Sequence, residues 1–200
     1  MSGGVLNIQG ISTRSSYHLL NLTYDGNVFN MSGGTINISD VNTSGAIYIN
    51  SADENINVTG GTINIDITND NDAVITSRAP FFNMNITQSG AAATGVAQIA
   101  GATTGEGGGT TTLTPDNLSI INDLRVDNSA GNGTAFDANN FDLNVTGALT
   151  IDNGAVVDLT GMELIFDGSG NSNLAVNTGA TLTLDSLVIS KDTETSTLTL

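Results

Sequence analysis

The sequence predicts an all-β chain that folds as a right-handed parallel β-helix, with three short strands and about 27–30 residues in each coil. Three observations predict this fold. Two nearly identical nine-residue segments follow one another at a distance of one coil, apolar and polar residues alternate within each segment, and glycine supplies 24 of the 200 residues. Alternation with a period of two is typical of a half-buried strand, and glycine provides the backbone angles that tight corners need.

The repeat is sharpest at residues 30–38 and 57–65, which read NMSGGTINI and NVTGGTINI. In each copy we expect the first apolar residue, Met31 or Val58, to point into the core. The small residues then turn a corner, and the isoleucines of the TINI segment point inward again. The polar residues between them face solvent, where identical asparagines one coil apart can form ladders.

Further strands complete the predicted coils. Looser copies of the repeat are predicted at residues 144–151 and 176–184, and a third strand at residues 46–49 and 73–76. The N-terminal residues from Met1 onward match the repeat from its methionine, so the chain is predicted to start in mid-repeat. Together with a strand pattern that runs up to Leu200, this predicts a fragment of a longer chain, whose other coils are partners of this one.

The chain divides into three stretches. Residues 1–87 and 115–200 carry the strand patterns and are predicted as solenoid coils. Residues 88–114 are rich in glycine, alanine and threonine and are predicted as a loop or irregular coil. We expect the two patterned stretches to stack as one continuous rod around this excursion.

A β-sandwich is the alternative fold. Its turns favour hairpin dipeptides such as Asn-Gly, and two occur here, at residues 132–133 and 153–154. The repeat of residues 30–38 at 57–65 is the observation that favours the solenoid over the sandwich.

Composition excludes several classes of function. The chain has four Lys and Arg against 20 Asp and Glu, for a formal net charge of −16, and it has no cysteine. Nucleic-acid binding requires a basic footprint, so no nucleic-acid partner is expected. Docking on anionic lipid is disfavoured for the same reason, and no segment reaches the roughly 18 apolar residues of a membrane helix, so no membrane insertion is expected. The absence of cysteine excludes thiol chemistry and cysteine-based zinc sites.

The SGGTINI-type repeats resemble the β-helical regions of large bacterial surface proteins. These include haemagglutinin-like and autotransporter-like adhesins and the surface proteins that Bacteroidota export by type IX secretion. The resemblance implies an extracellular or cell-surface location and a role in adhesion or as a stalk. It also implies surface or host glycans or proteins, and the secretion machinery, as partners.

Catalysis is weighed against this structural role, because β-helices also carry polysaccharide-degrading enzymes. The basic residues Arg14, Arg78, Arg125 and Lys191 are widely separated, and His18 is the only histidine. No paired-carboxylate motif of the kind that glycoside hydrolysis uses stands out. We therefore expect no enzyme activity and interpret His18 as an ordinary strand or loop residue. A carbohydrate-active or tailspike-like β-helix and a secretion cargo or filament-forming subunit remain as alternatives.

Calcium is the one metal for which the sequence offers candidates, since alternating oxygen ligands suit Ca²⁺. Neither of two acidic runs matches a complete calcium-binding loop, and Asp and Asn are also what ordinary turns use. No other cofactor is expected. The candidate ligands are Asp66, Asp70, Asp72, Asp167 and Asn171.

Overall fold

The computed structural model describes residues 1–10, 17–100, 117–130, 133–193 and 195–200. Over these residues the chain is all-β, apart from one 3₁₀ turn at Asp53–Asn55. The strands are β1 (Ser2–Gln9), β2 (Leu20–Leu22), β3 (Phe29–Ser39), β4 (Ile47–Ile49), β5 (Ile56–Ile67), β6 (Ala73–Ser77), β7 (Asn83–Gln88), β8 (Ala97–Ile99), β9 (Leu118–Ile120), β10 (Leu124–Asp127), β11 (Thr134–Asp137), β12 (Leu143–Val145), β13 (Ala148–Asp152), β14 (Val156–Gly168), β15 (Ser172–Val176), β16 (Thr181–Lys191) and β17 (Leu198–Thr199). Within the described ranges, no helix has the length and apolar character to span a membrane.

These strands pair with one another in parallel and form three rows that run along a solenoid. The first row contains β1, the second halves of β3 and β5, then β7, β10, β13, β15 and β17. The second contains β2, β4, β6, β8 and β11 and the first halves of β14 and β16. The third contains the first halves of β3 and β5, then β9, β12 and the second halves of β14 and β16. The predicted parallel β-helix with three strands per coil is therefore confirmed.

The long strands pass around corners without losing their strand pairing. In β3 and β5 the register shifts between Met31 and Thr35, where the chain turns from the third row into the first. Gly34 and Gly61 take positive φ angles of 80° and 100° at this corner. These are equivalent glycines of the two sharpest copies of the repeat.

Coil length varies more than the sequence predicted. Along the outward face of the first row, Asn37 follows Asn7 by 30 residues and Asn64 follows Asn37 by 27 residues. Asn85 then follows Asn64 by only 21 residues, whereas the next step in the register, from Asn85 to Arg125, is almost twice as long. Later coils are slightly shorter than the first two. The predicted interval thus holds only for the first two steps, because corner loops change length while the strands keep their register.

One of the predicted looser copies lies at a different corner. The copy at residues 144–151 turns from the third row into the first, as Met31–Gly34 does. The copy at residues 176–184 instead leaves the first row with Val176 and enters the second row, where Leu182 pairs with Val157. The two looser copies therefore lie at different corners, because different corners of the solenoid use the same small residues between alternating strands.

The stretch predicted as an excursion contains regular structure. Ala97–Ile99 forms β8, which pairs with β6 and β11 in the second row. Residues 101–114 of that stretch lie outside the described residues. On either side of it, β7 pairs with β10 in continuous register within the first row.

The core is a column of inward-facing side chains stacked coil upon coil. Ile36, Ile63, Met84, Leu124 and Leu149 occupy equivalent positions in the first row and are all buried. Apolar burial of this kind is the main stabilising term of the fold.

The first and last described coils are less buried than the coils between them. Leu6 in β1 and Ile189 in β16 are both exposed. At the N-terminal end, Val5 pairs with Thr35 and the N–H of Ser32 donates to the carbonyl oxygen of Met1 at 2.8 Å. Met1 therefore falls in mid-repeat, as the sequence predicted.

Candidate functional site

The outward face of the first row carries a ladder of four asparagines. Asn7, Asn37, Asn64 and Asn85 occupy the same register position in β1, β3, β5 and β7. The Nδ2 groups of Asn37, Asn64 and Asn85 each donate to the side-chain Oδ1 of the preceding asparagine, at 2.7, 2.7 and 2.8 Å in turn. We call this set the asparagine ladder. It confirms the expectation that stacked asparagines pair from coil to coil.

A line of polar side chains on the first row of strands runs beside the asparagine ladder. It lies two residues further along each strand, on the same outward face, and consists of Gln9, Ser39, Asp66, Thr87 and Asp127. Residues i and i+2 of a strand share a face and stand about 6.6 Å apart. The asparagine ladder and this line of polar side chains therefore form the two walls of a channel whose floor is the strand backbone.

This channel is an open groove of about 440 Å³. Its walls are the ladder residues Asn37, Asn64 and Asn85 on one side and Ser39, Asp66 and Thr87 on the other, with Arg125 at one end. The side chains of Ile38 and Ile65 turn into the core beneath it, so only their backbone contributes to the floor. We call it the ladder groove.

Arg125 occupies the next ladder position after Asn85 and ends the asparagine series. Its Nη2 donates to Asp127 Oδ2 at 2.6 Å and its Nε donates to Asp152 Oδ2 at 2.8 Å. Although burial lowers its pKa, the hydrogen bonds to Asp127 and Asp152 prevail and hold the pKa of Arg125 above its usual value. The guanidinium is therefore a permanent cation bound to two carboxylates.

Asp127 is the most deeply buried carboxylate of this cluster, with a side chain that is only 9% exposed. Its Oδ2 also accepts from Asn153 Nδ2 at 2.9 Å. Its Oδ1 is buried and has no hydrogen-bond partner among the described residues. Burying a charged oxygen is costly unless it is paired, so the position of Asp127 depends on Arg125 and Asn153.

The structure does not bring the first calcium candidates together around one point. Asp66 accepts from the Ser89 hydroxyl at 2.6 Å. Asp70 and Asp72 instead accept from the backbone N–H groups of Thr94 and Val96, at 3.1 and 3.0 Å. These carboxylates thus bind the turn of the next coil, as ordinary turn chemistry would have them do.

The second pair of calcium candidates also contacts neighbouring coils. Asp167 accepts from Asn144 Nδ2 at 2.7 Å and from the Thr146 hydroxyl at 2.9 Å. Asn171 Oδ1 accepts from the N–H of Thr197 at 3.1 Å. In the described part of the chain, no three His, Asp or Glu side chains converge in a way that could hold a metal ion. Calcium binding stays a prediction.

Arg78 and Lys191 lie apart from the ladder groove. Arg78 pairs with Asp53 at 3.1 Å, next to two shallow pockets on another face. The Nζ of Lys191 donates to the carbonyl oxygen of Asp167 at 2.6 Å. Arg14 lies outside the described residues.

His18 is a packing residue. It is buried, its ring centroid lies 5.5 Å from that of Tyr48, and it also packs closely against Gly45. This placement agrees with its interpretation as an ordinary strand or loop residue.

The sequence analysis identified the repeated asparagines of the ladder, but it missed the cluster of Arg125 with two carboxylates at the end of the ladder. The spacing of Asn37 and Asn64 is visible as the repeated TINI segment. Arg125, in contrast, follows Asn85 after the longest step of the first row, and no regular repeat predicts that step. The only available signal was the alternation of Leu124, Arg125 and Val126, which places Arg125 on an outward face without showing which side chains it meets.

Comparisons of this chain with protein families, with curated proteins and with solved structures find no match.

Proposed function

We propose that the chain is a non-catalytic structural and adhesive segment of an exported bacterial cell-surface protein, acting as a rigid solenoid stalk or display scaffold. The observation that carries this proposal is the use of outward polar side chains to join successive coils. The asparagine ladder joins four coils, and ion pairs add to it at Arg125–Asp152 and Arg78–Asp53.

Such links between coils favour a stiff structural role for the solenoid over a catalytic one. Networks in which each member is paired hold side chains in one arrangement and resist local opening. Each coil contacts mainly its two neighbours, so stiffness continues along the axis for as long as coils are added. These are the physical properties that a stalk or a display scaffold requires.

The carboxylates bound to Arg125, at the end of the groove, support a non-catalytic role. Asp127 and Asp152 both accept hydrogen bonds from the same guanidinium, that of Arg125. Glycoside hydrolysis uses two carboxyl groups that face each other across the scissile bond, one of them free to donate a proton. We expect no release of reducing ends when the protein is incubated with plant, fungal or bacterial polysaccharides. Turnover that survives repeated purification would contradict the proposal.

The location is tested in the organism that makes the protein. We expect antibodies against this chain to label intact cells, and external protease to remove the label without lysing the cells. Label that appears only after lysis, together with a cytoplasmic marker, would overturn the surface assignment.

A further inference from the structure

We propose that the ladder groove is a binding site for a neutral oligosaccharide chain that lies along the solenoid axis. This inference rests on the adhesive part of the proposed function and gives it a site and a class of ligand. It is carried by the shape of the groove, by the hydrogen-bonding character of its walls and by its charge.

The groove has the shape of a site for an extended chain. Its walls repeat at every coil, about 4.8 Å apart, and from Asn37 to Arg125 the groove spans three such steps, or roughly 14 Å. It is open to solvent along its length and Arg125 lies at one end. A linear ligand can therefore enter from the side and make the same contact at successive coils.

The walls present groups that both donate and accept hydrogen bonds. Asn37, Asn64 and Asn85 each carry two amide hydrogens and use one of them to reach the preceding asparagine. The hydroxyls of Ser39 and Thr87 add two more groups of this kind on the opposite wall. A ligand hydroxyl also donates and accepts, so it is the ligand group that matches such walls most fully.

The charge of the groove favours a neutral ligand. The ionisable groups among its described lining residues are Asp66, which already accepts from Ser89, and Arg125, which is bound to two carboxylates. The lining therefore offers no excess positive charge to hold an anion, and the net charge of −16 repels a polyanion at longer range. Together with the hydroxyl-matching walls, this points to a neutral, polyhydroxylated chain.

Arg125 supplies the end contact of the site. Its Nε and Nη2 are used by Asp152 and Asp127, while Nη1 has no hydrogen-bond partner among the described residues. The side chain is 43% exposed. Nη1 can therefore donate to a ligand oxygen without breaking the ion-pair cluster that orients it.

Binding at a single groove is expected to be weak. None of the described residues that line the groove is aromatic, so the ligand gains no stacking contact and depends on hydrogen bonds that compete with water. We expect a dissociation constant on the order of 1 mM. Several grooves on one surface would raise the effective affinity through multivalency.

The test is an NMR titration of the ¹⁵N-labelled chain with cellopentaose, laminaripentaose, maltopentaose and mannopentaose. Each probe is added to about 10 mM, roughly ten times the expected dissociation constant. We expect at least one probe to shift the side-chain amide signals of Asn37, Asn64 and Asn85 and the Nε signal of Arg125. A lysine pentapeptide is titrated in parallel, because the acidic chain attracts cations.

Two groove variants and one matched control assign the site. Asn85→Leu keeps the side-chain size but removes the last amide of the ladder, and Thr87→Val removes a hydroxyl for which no partner is seen among the described residues. We expect each to weaken binding by at least about threefold, on the scale of one lost hydrogen bond. Asn30→Leu changes an exposed asparagine outside the groove and should leave binding unchanged.

Three outcomes would overturn the inference: no shift with any neutral probe, shifts that map outside the groove, or a response to the lysine peptide alone. The thermal midpoint of each variant shows whether it is folded. If Asn85→Leu does not fold, Thr87→Val carries the test alone. The stalk proposal does not depend on this result, since it is tested by surface location and by the absence of turnover.

Discussion

At the scale of single residues, the repeat is explained by what a corner requires of its backbone. Gly61 has a φ angle of 100°, a region that residues with a Cβ rarely adopt. A Cβ placed there would also lie 2.5 Å from Met31 Cε and 3.1 Å from the carbonyl oxygen of Gly33. The backbone conformation therefore favours glycine at this position, and the nearby Gly33 carbonyl leaves little room for a Cβ, which is why the glycine pair is the sharpest part of the sequence repeat.

Gly61→Ala is expected to lower the free energy of unfolding by about 1–2 kcal/mol, the usual cost of a left-handed conformation for a residue with a side chain. Gly26→Ala is the matched control, because that glycine has no positive φ and no atom within 4 Å of the added methyl group. Urea unfolding of both variants measures the difference. Equal stabilities for the two would contradict the role given to the corner.

At the scale of elements, Arg125 links β10 to β13, and its main partner is a buried carboxylate. Arg125→Met would leave Asp127 with one fewer donor in a site where its side chain is only 9% exposed. Removing one member of a buried ion pair leaves an uncompensated charge, so we expect a loss of about 2–3 kcal/mol in the free energy of unfolding.

Arg78→Met is the matched control for this prediction. Its partner Asp53 is 85% exposed, and an exposed ion pair contributes about 0–1 kcal/mol. Equilibrium unfolding in urea compares the two variants. If Arg78→Met costs as much as Arg125→Met, burial of Asp127 is not the cause.

The same comparison of elements shows how far sequence reasoning reaches. Strand identity, the parallel stacking and the asparagine ladder follow from periodicity, because a strict alternation fixes which side chains face outward. The register between β7 and β10 cannot be predicted from periodicity, because a long connection separates the two strands and no sequence pattern sets its length. The Arg125 cluster depends on that register, so it could be recognised only in three dimensions. The calcium candidates Asp66, Asp70 and Asp72 are neighbours in sequence, yet each accepts a hydrogen bond from a different residue of the next coil, and the sequence alone does not show those contacts.

At the scale of the whole molecule, carboxylates that accept hydrogen bonds make stability depend on pH. The Thr68 hydroxyl and then the Gln9 amide donate to Asp40 and hold the pKa of Asp40 below its usual value, although burial opposes them. The hydroxyl and then the backbone N–H of Thr160 lower the pKa of Asp158 in the same way. Asp40 and Asp158 lie in different coils, so acid acts along the stack and not at one end only.

The sign of the effect follows from linkage. A carboxyl group whose pKa is lower in the folded state binds protons more tightly when the chain is unfolded. Its stabilising contribution is complete above the unfolded pKa of about 3.9 and is lost as the pH falls through the folded pKa. We therefore expect the thermal midpoint, measured at constant ionic strength, to fall as the pH is lowered below about 4.

Thr68→Val separates this effect from the general relief of charge repulsion that acid brings to a chain of net charge −16. The variant loses the strongest hydrogen bond to Asp40, so the pKa of Asp40 should rise towards its usual value and the decrease in stability between about pH 5 and pH 2 should become smaller. Thr62→Val, at a threonine with no carboxylate contact seen in the described residues, should keep the decrease of the parent chain. Calorimetry across this range gives the stability, and an NMR titration of the Asp40 carboxyl carbon gives its pKa. A Thr68→Val variant with an unchanged Asp40 titration would show that the hydrogen bond between coils does not set the acid response.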